Sequence, residues 1–355
     1  MSTARKKTKN KGEWSEAYAI VNLVLNKQIF ACDRSLVALG GTHNYDINHI
    51  TLNKAGDESK KITLSPSLNS IKATFDGKSN EITDNELQLI SESILKKIKE
   101  STGTFEIPEV EYFWEKLFHP KLKSKSASKR DITVSLKNPE KGEPSEYGFS
   151  IKSDLGNKPS LLNASGATNF LFKAPSDFNP NPPTVEAKEL GRAVKSLNLQ
   201  LLGPVNEKYK SNLSSIDQNL SDLLSYILIE YYGSADSTSN LNSLLSLVEA
   251  ANPLNISDVS RYKKILVTFL EATALGMVPN KVWNKTFDAD GGILVIKKNG
   301  EIVSFYREDT KSKDELLEYL SENTLLETPS KTRHKFGKLE TDKSFKLNLQ
   351  IRTKD

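Results

Sequence analysis

The sequence predicts an α/β (α+β) fold, in which a mixed β-sheet is flanked by helices and a largely helical lobe is attached. Residues 131–136 and 146–153 alternate polar and apolar side chains with a period of two. Residues 293–296 and 302–306 are apolar runs on either side of an Asn-Gly turn, which is a good hairpin signal. Between these two strand pairs, residues 185–277 carry apolar side chains at helical spacing.

The remaining elements follow from spacing and capping residues. Apolar residues at helical spacing predict a helix over residues 12–26, and short alternations make residues 40–80 β-rich. A capping box from Thr83 to Glu86 begins a helix that should end near Glu100. Further expected elements are a short helix at 111–118, a proline-rich connector at 173–184, a helix at 313–322 and a final strand at 345–351.

A chain of 355 residues exceeds the usual size of one domain, so two or three lobes are expected. We expect residues 1–172 to hold the first helix, the β-rich segment and the first hairpin. Residues 173–280 should form the helical lobe, and residues 281–355 should pack back on the core.

Several classes of protein are disfavoured by composition. No run of about 18 apolar residues predicts a membrane span, and no apolar segment follows the basic N-terminus as in a secretory signal. Cys32 is the one cysteine, which excludes an internal disulfide framework and a multi-cysteine zinc site. These features fit a cytoplasmic protein.

Two residues of the first hairpin suggest a chemistry. Asp131 begins one strand, and Lys152 lies on the other strand between apolar neighbours, where a lysine is costly to bury without a partner. If the strands pair, Asp131 can hold a hard cation such as Mg²⁺ for phosphodiester hydrolysis, and Lys152 can orient the attacking water and offset developing negative charge. The alternative is an exposed Asp and Lys on an ordinary surface strand.

A second metal carboxylate would be expected two residues before the lysine, but Ser150 stands there. Glu146 is on the same strand face, about 13 Å away, which is too far to replace it. Glu16, or less favourably Glu13, could supply the group if the first helix docks beside the hairpin. The alternative is that both acids only stabilise the N-terminal turn of that helix.

Basic clusters and small polar residues are compatible with contact with nucleic acid, and the alternative for the basic clusters is a solvated, flexible linker. Lysines and an arginine cluster at 121–130 and in the N-terminal tail, which includes Lys11. Arg333 is a candidate guanine reader. Asn163, Ser165, Thr168 and Asn169 are candidates for phosphate or base contacts, although such residues usually cap helices and make turns.

The sequence resembles the HpaII family of type II restriction endonucleases. The resemblance extends over nearly the whole chain and rests on these blocks: Asn10–Glu16, Gly148–Ser153, Leu161–Ser165, Thr168–Phe170, Glu327–Ser330, Arg333-His334 and Phe336-Gly337.

Membership of that family would imply a PD-(D/E)XK core, Mg²⁺ dependence and cleavage of double-stranded DNA at a short palindrome. The namesake of the family cuts CCGG, and cytosine methylation protects that site, which implies a cognate cytosine methyltransferase. The matching catalytic positions are Asp131, Ser150 and Lys152, with Glu16 from the helix block, and Asp131 and Glu16 would hold the metal. A palindrome favours a homodimer, while a monomer that nicks each strand in turn stays open.

Two other functions stay open on the sequence. Ser150 in place of an acid is compatible with a DNA-binding protein that lacks catalysis. Hydrolysis of another phosphoester, such as RNA, is the second.

Overall fold

The structure is a computed structural model, and it describes residues 8–121, 128–137, 142–180, 186–234 and 238–354. The chain divides into two compact units. The first comprises Met1–Lys158 and Phe287–Leu316, and the second comprises Pro159–Thr286 and Leu317–Asp355. Lys123, Lys125 and the basic residues of the tail before position 8 lie outside the described residues, as does part of the proline-rich connector.

The first unit contains most of the strands. Its elements are β1 (Lys9–Asn10), α1 (Lys11–Asn26), β2 (Gln28–Phe30), β3 (Asn44–Lys54), β4 (Asp57–Pro66), β5 (Ser70–Phe75), β6 (Lys78–Thr83), α2 (Asp84–Glu100), β7 (Thr104–Phe105), α3 (Pro108–Lys116), β8 (Ile132–Leu136), β9 (Ser145–Ser153), β13 (Gly292–Ile296) and β14 (Ile302–Tyr306).

The second unit contains most of the helices. Its elements are β10 (Ser160–Leu162), β11 (Asn169–Lys173), α4 (Ala187–Val194), β12 (Gln200–Pro204), α5 (Glu207–Ile216), α6 (Leu220–Gly233), α7 (Leu241–Ala251), α8 (Ser260–Leu275), β15 (Thr324–Leu326), α10 (Lys331–His334), β16 (Ser344–Asn348) and β17 (Ile351–Thr353). Helix α9 (Thr310–Asn323) begins in the first unit and ends in the second.

A mixed sheet forms the centre of the first unit. Its strand order is β14-β13-β9-β8-β3-β4-β5-β6, with β2 also paired to β3. Strands β9 and β13 run parallel, and the other pairs along this order are antiparallel. The predicted mixed sheet with flanking helices is therefore confirmed.

One face of this sheet is apolar and packs against helices. Ile50, Leu52, Ile62 and Val134 alternate inward along their strands and share a core with residues of α1 and α2. Both helices begin at a capping box, α1 at Asn10 and α2 at Thr83, as expected for the second. The opposite face of β3, β4, β8 and β9 is polar. The alternation of apolar and polar residues predicted from the sequence thus gives the sheet one apolar face and one polar face.

The observed units differ from the three expected segments. Gly292–Ile296 pairs with β9, which places the second hairpin in the first unit. Residues 159–172 belong to the second unit because β11 pairs with β12 and β16. Pairing between distant parts of the chain causes both differences, and linear composition does not reveal such pairing.

The expected single strand at 345–351 is wrong. Two strands occupy that region, and they belong to two sheets of the second unit, ordered β12-β11-β16 and β10-β17-β15. Within the described residues, no helix combines the length and hydropathy needed to cross a membrane.

A buried polar network holds the second unit together around β16. Asn348 donates through Nδ2 to the Ser165 carbonyl at 2.8 Å, to Thr168 Oγ1 at 3.2 Å and to Asn169 Oδ1 at 2.7 Å. Thr168 Oγ1 accepts from the Ser165 backbone N–H at 3.1 Å, and Asn169 Nδ2 donates to the His334 carbonyl at 2.9 Å. The side chains of Thr168, Asn169 and Asn348 are almost fully buried. The polar atoms of Thr168 and Asn169 are thus engaged with buried backbone and side-chain groups of the same unit, and their contact with DNA stays a prediction.

We predict that Thr168→Val lowers the free energy of unfolding by about 1–3 kcal/mol, because the substitution leaves buried donors without an acceptor. Chemical denaturation followed by circular dichroism measures this change. Asn163→Ala, at an exposed position, is the matched control and should change stability by less than about 0.5 kcal/mol. Unchanged stability together with lost DNA binding in Thr168→Val would contradict this structural role and support a direct contact of Thr168 with DNA.

Candidate active site

The register of β8 and β9 brings Asp131 beside Ser150. Ile132 is paired with Phe149, and the Asp131 backbone N–H donates to the Phe149 carbonyl at 2.8 Å. Asp131 Oδ2 accepts from the Ile151 backbone N–H at 2.7 Å and from Ser150 Oγ at 3.3 Å. The carboxylate is thus fixed at the start of β8, on the face of β9 that carries Ser150.

Lys152 lies two residues further along β9, on the same face as Ser150. Its other neighbouring strand is β13, where Val295 is its partner in the parallel register. Burial lowers the pKa of the Lys152 amine, and the charges of Asp131 and Glu16 oppose that shift. The expected juxtaposition of an acid and an amine is therefore present in the structure.

Helix α1 brings Glu16 into the electrostatic range of Lys152. The helix docks on β9 through a hydrogen bond from Ser153 Oγ to Ser15 Oγ at 2.9 Å. Glu13, the other acid considered from the sequence, belongs to the capping box of α1, where its carboxylate accepts from the Asn10 backbone N–H at 3.0 Å. The two acids thus differ in surroundings: Glu13 belongs to the capping box of α1, and Glu16 lies within electrostatic range of Lys152.

A second amine, Lys129, lies within electrostatic range of Lys152 and Asp131 and is a further candidate for the site. Its pKa is lowered to about 7 by burial and by the positive charge of Lys152, while Asp131 acts in the opposite direction. The sequence signal was its position two residues before Asp131, but Lys129 was interpreted only as part of a basic cluster. The site therefore combines two amines and two carboxylates.

The donor chemistry fits a hard divalent cation held by few protein ligands. Among the described residues, no group of three or more His, Cys, Asp or Glu is arranged to hold a metal ion. The oxygen donors at the site are the carboxylates of Asp131 and Glu16 and the hydroxyl of Ser150. Mg²⁺ is usually bound through one or two carboxylates and retains several waters, so this set suits Mg²⁺ better than a softer metal.

Of the other predicted DNA-binding residues, Lys11 belongs to the first unit, and Asn163, Ser165 and Arg333 belong to the second. Lys11 is half-buried at the start of α1, and its side chain lies over Gly156. Asn163 is exposed and accepts from Ser160 Oγ at 2.8 Å. Ser165 Oγ accepts from the Ala167 backbone N–H at 3.2 Å, which is a capping role. These three contacts neither require nor exclude DNA.

Arg333 is exposed on the short helix α10 of the second unit. A cleft of about 810 Å³ adjoins this helix, and Lys331, Lys335, Lys338 and Lys346 are among its lining residues. A basic rim of this kind favours contact with phosphates. The location of Arg333 is consistent with the predicted DNA contact.

Comparison with known proteins identifies relatives over almost the full length. The model of the HpaII restriction endonuclease family matches residues 10–353. The chain is 33% identical to the type II restriction enzyme HpaII of Haemophilus parainfluenzae over 360 residues, which cover 97% of this chain and 98% of the relative. No solved structure gives a significant match.

Proposed function

The chain belongs to the HpaII family of restriction endonucleases, and on that premise we propose that Asp131, Lys152 and Glu16 form its Mg²⁺-dependent catalytic centre. Membership makes the protein a type II restriction endonuclease, a site-specific deoxyribonuclease that acts on double-stranded DNA. We further assign the central sheet to the PD-(D/E)XK arrangement, with Ser150 in place of the usual acid.

The observation that carries this proposal is the convergence of charges at the start of β8. The Asp131 carboxylate accepts from the backbone of Ile151, one residue before Lys152, so acid and amine are fixed by one strand pair. The half-buried Lys152 amine loses hydration beside this acid, which is costly for a merely structural surface. Amines with a lowered pKa beside carboxylates are concentrated at functional sites, which supports the proposal.

In the proposed mechanism, Asp131 and Glu16 supply carboxylate oxygens to the cation, and Ser150 hydrogen-bonds Asp131 and orients it. When bound, Mg²⁺ would polarise the scissile phosphoryl group and lower the pKa of a coordinated water. The Lys152 ammonium orients the attacking water and offsets negative charge that develops on the phosphate. Lys129, whose pKa is lowered to about 7, adds a second amine to the proposed centre.

We propose a short palindromic target and a homodimer, because two-fold related sites on DNA are matched by two-fold related protein subunits. CCGG is the first target to test, since the resemblance of the sequence implies it. A cytosine methyltransferase that protects the same site would be the genetic partner. A binding protein without catalysis and a hydrolase of RNA are both less favourable, because the family consists of restriction endonucleases.

We expect Mg²⁺-dependent digestion of a DNA of known sequence to give discrete fragments whose mapped ends share one short palindrome. Methylating the cytosines of CCGG beforehand should abolish cutting if CCGG is the target. Fragment ends at another palindrome would overturn the CCGG assignment alone, whereas cutting of RNA in preference to duplex DNA would overturn the substrate.

Asp131→Asn and Lys152→Met should each reduce the cleavage rate by about 10²-fold or more, because each removes a charge that stabilises the transition state. In gel-shift experiments without divalent metal, the affinity of each variant for DNA should stay within a few-fold of the affinity of the natural protein. Lys72→Met, at an exposed position on β5, is a control that should cleave normally. Cleavage at the natural rate in either Asp131→Asn or Lys152→Met would refute the assignment.

Glu16→Gln should raise the Mg²⁺ concentration for half-maximal cleavage by about 10-fold to 100-fold, a range typical for loss of a group that supports a metal. Glu13→Gln provides the matched control. Its amide oxygen can still accept from the Asn10 backbone N–H, so the substitution should keep the capping box of α1 and leave the Mg²⁺ dependence unchanged. The reverse pattern, with Glu13→Gln altering the Mg²⁺ requirement, would show that the wrong acid was assigned.

A further inference from the structure

The polar face of the central sheet continues well beyond Asp131. In the registers of β4, β3, β8 and β9, Lys61 is paired with Asn53, Thr51 with Thr133, and Thr133 with Gly148. Thr133 lies two residues after Asp131 on β8, so these positions share the face of Asp131 and Ser150. The face therefore presents a continuous row of amide, hydroxyl and charged groups from the candidate active site to β4.

A cleft of about 270 Å³ lies along this row. The polar and charged residues that line it are Thr51, Asn53, Glu58, Lys61, Lys121, Ser128, Arg130, Asp131 and Thr133. Hydroxyl, amide and cationic groups of this kind provide most protein contacts to DNA phosphates. Because Asp131 forms one wall, a strand whose scissile phosphate sits at Asp131 would pass directly into the cleft.

Arg130 occupies space that a side chain at position 148 would fill. A Cβ on Gly148 would lie 2.3 Å from Arg130 Nε and 2.4 Å from the Asp288 carbonyl oxygen. Arg130 Nε donates to that carbonyl at 2.7 Å, and the guanidinium lies 3.9 Å from Asp290 Oδ1. Asp290 Oδ1 in turn accepts from the Gly148 backbone N–H at 2.6 Å. Because Gly148 has no side chain, Arg130 can lie across β9 at this position. Gly148 and Ser150 are successive residues on the same face of β9, so Arg130 lies next to Ser150 along that face.

The cations of the cleft are available to an anion to different degrees. Lys121 is paired with Glu58 at 2.7 Å. Lys61 is exposed and donates to Asn53 Oδ1, which is a neutral partner. Arg130 is exposed, its Nε donates to the Asp288 carbonyl, and one terminal nitrogen makes a long, solvent-exposed ion pair of 3.9 Å with Asp290. Such an exposed pair is weak, so an incoming phosphate can compete for the guanidinium. Arg130 and Lys61 are therefore the two groups best placed to bind phosphate.

We propose that this cleft binds the backbone phosphates next to the scissile phosphate, with Arg130 and Lys61 as its main contacts. The proposal rests on the proposed active site, because Asp131 fixes where the scissile phosphate lies. Two strand spacings of about 4.8 Å separate β8 from β4, whereas successive phosphates of one DNA strand advance about 3.4 Å along the helix axis. The cleft is thus long enough for more than one phosphate, and an arginine fork suits bidentate phosphate binding.

The test is the affinity for duplex DNA without divalent metal, measured by fluorescence anisotropy across a series of salt concentrations. Arg130→Gln and Lys61→Gln should each weaken binding, Arg130→Gln by about 10-fold to 100-fold. Each substitution should reduce the slope of log affinity against log salt concentration by about one. The loss of affinity should be equal for target and non-target DNA. Arg34→Gln and Lys72→Gln, which change exposed cations outside the cleft, should leave both quantities unchanged.

Further variants separate phosphate binding from a role in folding. Arg130→Lys should keep the salt slope and recover part of the affinity, because it retains the charge without the fork. Gly148→Ala should reproduce the effect of Arg130→Gln at unchanged net charge, and thermal melting identifies the variants that remain folded. Natural affinity and salt slope in folded Arg130→Gln would overturn the proposal, and so would a loss confined to target DNA. The binding assay contains no cleavage step. Failure of the catalytic assignment would instead appear in the cleavage rates of the Asp131→Asn and Lys152→Met variants, so the two outcomes can be distinguished.

Discussion

The site depends on one hydrogen bond, which the Ile151 backbone N–H donates to the Asp131 carboxylate at 2.7 Å. A charged acceptor makes such a bond stronger than a neutral one, and this bond ties the acid to the strand that carries Lys152. It exists only in the observed register of β8 and β9. A slip of one residue would turn every side chain of β9 to the opposite face and place Phe149 and Ile151 where Ser150 and Lys152 now lie.

That register is enforced from the other side of the sheet. The apolar side chains of β3, β4, β8 and β9 are buried against α1 and α2, so the polar positions of the same strands must share the opposite face. The hydrophobic core thus determines where the charges lie. The candidate acid and amine and the row of polar groups leading to Lys61 are all consequences of one alternating pattern.

Ser150 makes the candidate site unusual, because it places a hydroxyl where the family pattern has an acid. In the proposed centre the strand pair therefore offers one carboxylate, that of Asp131, and the second is proposed to come from α1. Helix α1 is anchored at Asn10 by its capping box and at Ser15 by its bond to Ser153, and Glu16 of this helix lies within electrostatic range of Lys152.

The sequence alone determined the local elements and the chemical character of the site. Alternation predicted both hairpins, capping residues predicted α2, and an acid before one strand with a lysine inside the next indicated Asp131 and Lys152. Such signals are local, since each depends on residues within a few positions of one another. Only the tertiary structure decided which distant segments meet. Contacts between residues far apart in the chain pair β13 in parallel with β9 and bring Glu16 and Lys129 into electrostatic range of Lys152. Such contacts also bury Thr168 and Asn169 against Asn348. No single-sequence periodicity encodes these contacts.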